Sequence, residues 1–195
     1  SIFIQKIRFE VYLYKSKWIE MVKCYLLLAD GFETVEALTP VDILRRCSLD
    51  IKMVSITDSL NVTSSHGVTV TADMLLDNSV KMGDLLILPG GYPGYENLRN
   101  DTRVIELVQN YFFDGKRVAA ICGAPTVLLK AGVGKGMKIT CHTSVLDQMK
   151  GDYCCTEGDV EIDGNIITGK GAGLSLPFAL SIAGEFVDSA TMDKI

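Results

Sequence analysis

The stretch Arg117-Val-Ala-Ala-Ile-Cys-Gly-Ala-Pro125 decides how this chain is read. Its first five residues form a short, mostly apolar run of strand length, which breaks at a cysteine with small neighbours. Pro125 comes where a helix can open, since the first helical position tolerates its missing N–H. A strand turning sharply into a helix at a nucleophile-type side chain has the shape of a nucleophile elbow. The positive end of the helix after it is expected to favour thiolate over thiol at Cys122. The competing reading is a small buried apolar residue, the commonest fate of a free cysteine.

Outward from this stretch, strands and helices alternate. Residues 24–29 (CYLLLA) are a nearly continuous apolar run, as expected of a parallel strand buried on both faces. Residues 33–47 carry helical spacing, with Val35, Leu38, Val41 and Leu44 on one face and Pro40 expected to bend the helix. Further strands are expected at 51–56, 68–71, 84–88, 138–141, 160–162 and 165–168, with Asp163-Gly164 as a hairpin turn. Helices are expected at 102–113, 125–131 and 173–187. This alternation implies an α/β fold with a doubly wound, mostly parallel sheet and helices on both faces.

In such sheets, sites form outside the carboxyl ends of the strands. Just past the strand ends stand an acid pair (Glu33 and Glu36), two glycines (Gly90 and Gly91), Cys122 with Gly123, and His142. Acid, close-approach backbone amides, thiol and imidazole are thus delivered to one rim. Glu33 and Glu36 share a helix side; acids at a helix start also complement its dipole, and for Glu33 alone that reading suffices. Glu36 near a thiol can hold or shuttle a proton. Gly90 and Gly91 can end a strand in a tight turn and still supply amide donors together with Gly123. A lone histidine such as His142 is more often a packed or surface residue than a base.

Composition narrows the function classes. The 195 residues suit one domain, with 48% hydrophobic and 22% charged residues. A formal charge of −5, with no Lys/Arg cluster, argues against nucleic acid or an anionic membrane surface as partner. No apolar run reaches the roughly 20 residues that span a bilayer, and the first 20 residues lack the pattern of a secretory signal. Six cysteines without a C-x-x-C pair, and only two histidines, fit free thiols in a reducing, cytoplasmic setting better than disulfides or zinc. Cys24 and Cys47 read as core, and Cys141, Cys154 and Cys155 lean the same way. The run Gly169-Lys-Gly-Ala-Gly173 lacks the ending of a phosphate loop and reads as a strand-to-helix turn. Residues 1–20 alternate apolar and polar side chains from Ile7 to Tyr14, unlike the rest. They read as an extension, an added edge strand at most, ahead of a single domain over 21–195.

Four motifs in order, Glu36-Ala-Leu-Thr-Pro-Val-Asp42, Leu88-Pro-Gly-Gly91, Ala120-Ile-Cys-Gly-Ala-Pro125 and Thr168-Gly-Lys-Gly-Ala-Gly173, resemble the ThiJ/PfpI superfamily. The nearest branch is that of YajL and the parkinsonism-associated deglycase, and the match runs from Met21 to about Val187. The resemblance implies a flavodoxin-like fold akin to class I glutamine amidotransferases, a homodimer, and no metal or organic cofactor. It assigns the family's acid to Glu36, its nucleophile to Cys122, its histidine to His142 and its oxyanion amides to Gly91 and Gly123. Glu33 matches a second, organising acid, and Arg46 a basic residue that reaches across the dimer interface. Gly123 stands where the protease-like branch has histidine, and His142-Thr-Ser lacks the amidotransferase His-x-Glu. His66 and Lys170 also depart from the usual residues, which bears on anion binding and dimer contacts.

The expected activity is that of a cofactor-independent glyoxalase or deglycase acting on small 2-oxoaldehydes or their adducts. The alternative is a redox-responsive stress protein or chaperone that works through oxidation of Cys122. A Cys-His amidase or peptidase is the weaker third reading, because no acid orienting His142 is evident.

Overall fold

The computed structural model describes residues 22–195, so the strand-like pattern noted within residues 1–20 lies outside the described residues. In chain order the elements are β1 (Lys23–Leu28), α1 (Thr34–Arg46), β2 (Asp50–Ser55), β3 (Asn61–Thr63), β4 (Thr69–Thr71), β5 (Met74–Leu75), β6 (Leu85–Leu88), α2 (Gly94–Asn100) and α3 (Thr102–Phe113). Next come β7 (Arg117–Ile121), α4 (Pro125–Ala131), β8 (Lys138–Ile139), α5 (Leu146–Met149), β9 (Cys154–Cys155), β10 (Val160–Asp163), β11 (Ile166–Gly169), α6 (Ser175–Gly184) and α7 (Ser189–Met192).

Seven strands form the main sheet in the order β10-β11-β7-β6-β1-β2-β5. Every neighbouring pair is parallel except β10 with β11, the hairpin turned by Asp163-Gly164. The continuous apolar runs resolve into two alternating sets, because successive strand side chains point to opposite faces. Tyr25, Leu27, Leu86, Leu88, Val118 and Ala120 meet α2, α3 and α4 through Leu98, Leu107, Val108 and Val127. Cys24, Leu26, Leu28, Leu85, Ile87, Ala119 and Ile121 meet α1 and α6 through Val41, Leu44, Phe178 and Ile182. Helices therefore cover both faces, and the architecture is the flavodoxin-like α/β sandwich.

The structure refines four parts of that reading. Residues 138–141 are not a strand of the main sheet: only Lys138–Ile139 is extended, and it pairs with β9 in a separate two-stranded sheet. The short strand expected at 68–71 is present at Thr69–Thr71, in a side hairpin of β3 with β4. The last long helix runs only over Ser175–Gly184, entered by a 3-10 turn at Ala172–Leu174. The segment after Gly90-Gly91 holds a helix, α2, that its glycines, proline and polar residues hide from a periodicity reading.

Candidate active site

The site is assembled at the carboxyl rim of the sheet by its central strands. Between β1 and α1 the loop is pinned by two backbone bonds, from Gly31 N–H to Thr63 O at 2.8 Å and from Glu33 N–H to Gly90 O at 2.9 Å. This aims the first turn of α1 inward, so that Glu36 is fully buried. Its Oε2 accepts the Gly90 N–H at 2.9 Å, while its Oε1 is buried without a partner. A carboxyl so placed has a free lone pair or a proton to offer.

Opposite Glu36, β7 ends at Cys122, whose φ of 65° is one of only two positive values among the described non-glycine residues. A side chain in the left-handed region costs conformational energy and persists only where its surroundings hold it. Here the Cys122 N–H donates to Gly169 O and its carbonyl accepts the His142 N–H, both at 2.9 Å. The elbow expected from sequence is thus present.

Gly90 lies between the acid and the thiol. A Cβ built on it falls 2.6 Å from Glu36 Oε2 and 2.7 Å from the Cys122 Cβ, so no larger residue fits unless the pair separates. Gly123 is equally confined, since a Cβ there would meet the Tyr95 ring at 2.6 Å. Gly90→Ala is expected to lower stability by about 1–3 kcal/mol through overpacking. It should also slow alkylation of Cys122; thermal unfolding and iodoacetamide kinetics check the two effects.

The electrostatics revise one expectation. Burial pushes the Cys122 thiol up to about 12, reinforced by the adjacent Glu36, against the pull of the Gly123 and Gly91 amides. The helix after the elbow is only seven residues long and does not overcome this desolvation. Burial likewise raises Glu36 to about 7, opposed by the adjacent Cys122 thiol and the Gly90 N–H and assisted by Glu33. Near neutral pH the thiol therefore keeps its proton, while the Glu36 carboxyl is only part ionised.

A cavity of about 480 Å³ opens over the pair, lined by Glu33, Tyr92, Tyr95, His142 and Ser144 among others. The His142 Nδ1 lies 2.8 Å from Ser144 Oγ and accepts the Ser144 N–H at 3.2 Å, which leaves the neutral ring's proton on Nε2. Glu33 is held by Ser65 Oγ at 3.2 Å, with His66 Nδ1 at 3.5 Å. Of the residues named from sequence, Glu33, Glu36, Gly90, Gly91, Cys122, Gly123 and His142 meet here. Arg46 does not: it ends α1, roughly 18 Å along the helix from Thr34, and pairs with Asp42 at 2.8 Å. Tyr92, Tyr95 and Ser144 were missed; they stand just after Gly91 and His142, so the same rim rule extended by a few residues finds them.

The remaining cysteines behave as buried or surface thiols, and all six are free. Desolvation raises Cys24 to about 12 and Cys141 to about 11. No cluster of three metal-ligating side chains occurs among the described residues, and none of their helices is long and apolar enough to cross a membrane.

The DJ-1/PfpI family model matches residues 22–185. The Parkinson disease protein 7 homolog of Danio rerio is 35% identical over 179 residues, covering 89% of this chain and 94% of that protein. The glutathione-independent glyoxalase DJR-1.2 of Caenorhabditis elegans is 33% identical over 159 residues, 80% of this chain and 84% of that one. The crystal structure of Drosophila melanogaster DJ-1beta superposes with a TM-score of 0.85 at 31% identity, over 89% of this chain and 94% of that one. Family model, full-length relatives and superposable architecture agree, and the chain belongs to the DJ-1/PfpI family.

Proposed function

We propose that this protein is a cofactor-independent glyoxalase that converts methylglyoxal-type 2-oxoaldehydes into 2-hydroxy acids, and releases the same group from early glycation adducts. The observation that carries the reading is the buried Glu36 carboxyl set against Cys122 on either side of Gly90, beneath a cavity lined by Gly91 and Gly123. A relative named as a glutathione-independent glyoxalase supports it.

In the proposed reaction Glu36 takes the Cys122 proton as sulfur bonds to the aldehyde carbon. The resulting oxyanion is held by the Gly91 and Gly123 N–H groups and takes that proton back from Glu36, which gives a hemithioacetal and restores the carboxylate. Glu36 removes the hydrogen from that carbon and delivers it to the neighbouring carbon, while the hydroxyl proton passes from the first oxygen to the second through an enediol, leaving a thioester. Water hydrolyses the thioester, freeing the hydroxy acid and the thiol. His142 faces the same cavity, with Nε2–H available to the substrate's second oxygen. The cavity is far larger than methylglyoxal needs, and this leaves room for the amine or thiol carried by a glycation adduct.

The proton inventory gives a pH signature. Below about 7 Glu36 is protonated and cannot accept the thiol proton, while between about 7 and 12 the pair holds one proton and is competent. Turnover is expected to rise with pH, half-maximal near 7, and then stay flat through the accessible alkaline range. A profile that falls through pH 7 would remove Glu36 as the base. Lactate production without glutathione or added metal tests the activity itself.

The same groups favour a second reading, in which the Cys122 sulfur is oxidised by peroxide to sulfinate. A protonated Glu36 and the two amides are placed to hydrogen-bond its oxygens. Intact mass after mild peroxide should then show two added oxygens in wild type and none in Cys122→Ser. Both readings go with a homodimer in a reducing compartment; Val35 and Leu176, exposed apolar residues at the starts of α1 and α6, suit a second copy.

A further inference from the structure

The 138–142 segment lies beside the main sheet without joining it, which raises the question of what fixes His142 over Cys122. Along an extended segment, alternate N–H groups point to opposite edges. On one edge the Met137 and Ile139 carbonyls accept from Cys154 and Thr156 at 3.0 and 2.9 Å. On the other, the N–H groups of Lys138, Thr140 and His142 meet three unlike acceptors. These are Asp163 Oδ2 at 2.8 Å, Thr168 Oγ1 at 2.9 Å and Cys122 O at 2.9 Å. Strand β11 offers no free backbone edge, because β7 and β10 already flank it. Side-chain oxygens therefore replace the ladder.

The three rungs differ in what can replace them. The Asp163 rung is exposed, so water can stand in for it. The Thr168 rung is wholly buried, with both threonines at 0% exposure, and nothing else there accepts the Thr140 N–H. Thr168 also immediately precedes Gly169, whose carbonyl holds the strained Cys122 N–H. One dipeptide of β11 thus grips the elbow through Gly169 and the histidine segment through Thr168.

We propose that Thr168 is a positioning residue whose buried hydroxyl sets the place of His142 relative to Cys122. The inference rests on reading His142 as part of the reacting site. An internal control lies beside it, because the Thr140 hydroxyl is also buried but has no partner. The same hydroxyl-to-methyl exchange should therefore be harmful at Thr168 and harmless at Thr140.

The experiment compares Thr168→Val, Thr168→Ser and Thr140→Val by amide hydrogen exchange at Thr140 and His142, and by methylglyoxal kinetics. Thr168→Val is expected to speed exchange at both amides and to lower kcat about tenfold with KM within about twofold, as expected of a small misplacement of a reacting group. Thr168→Ser should restore both values, and Thr140→Val should match wild type. Should the valine variant not fold, Thr168→Ala removes the same acceptor without filling its space. The proposal is overturned if Thr168→Val and Thr140→Val are indistinguishable. It is also overturned if exchange quickens while kcat stays unchanged in an active enzyme. A wild type that turns over no methylglyoxal refutes the glyoxalase reading instead, and unchanged exchange in Thr168→Val then overturns the positioning role by itself.

Discussion

Serine in place of Cys122 is expected to leave a folded protein that produces no lactate from methylglyoxal above background, a loss of roughly 10³-fold or more. The two side chains are nearly the same size, and the left-handed backbone at residue 122 is held by main-chain bonds to Gly169 and His142 that the exchange leaves alone. What changes is the acidity of the group whose proton Glu36 must take. A serine hydroxyl lies several pK units above even the raised thiol, so a carboxylate that titrates near 7 cannot deprotonate it to a useful extent. Circular dichroism and the melting temperature should match wild type. Retained lactate production would mean that the thiol is not the nucleophile, and the acid would have to act on substrate directly.

Glu36→Gln is expected to cost about 10²–10⁴-fold in turnover, the usual worth of a positioned acid–base group. It should also make the protein more stable above neutral pH. Glutamine keeps an acceptor for the Gly90 N–H, so the geometry survives while the proton carrier is lost. The stability effect comes from linkage. Glu36 is raised from 4.5 to about 7 in the fold, so the native state holds a proton that the unfolded chain releases. Stability is fully present below about pH 4.5 and declines as pH rises through 7, by about 3 kcal/mol at most. The variant escapes that decline. Urea unfolding at pH 5 and pH 8 should show the two proteins converging at the acid end, with the variant ahead at the alkaline end. A variant less stable than wild type at pH 8 would show that the carboxylate is better solvated than its burial indicates.

Much of this site was legible in the sequence because the rim of a parallel sheet is a geometric consequence of its connections. Once strands at 24–29, 84–88 and 117–121 are placed, Glu36, Gly90, Gly91 and Cys122 must converge. Two things were not legible. His142 reaches the rim for a different reason than supposed, since its segment docks through side-chain oxygens that carry no periodic signal. The ionisation of Cys122 also depends on how deeply the Glu36 carboxyl is desolvated, and a burial depth cannot be read from residue spacing. A helix dipole favours thiolate at Cys122, but it is one local effect, and the larger, non-local desolvation outweighs it.

The dependence of the Cys122 elbow on Gly169 has a consequence for the order in which the molecule matures. During synthesis the thiol emerges well before the strand that helps restrain it, and until β11 docks against β7 the Cys122 N–H lacks the Gly169 carbonyl that holds one side of its left-handed backbone. A nascent chain cut short before residue 166 lacks that acceptor and carries an ordinary cysteine. Competence for turnover arrives as a late step of assembly, and fragments or stalled chains that end before Gly169 should produce no lactate.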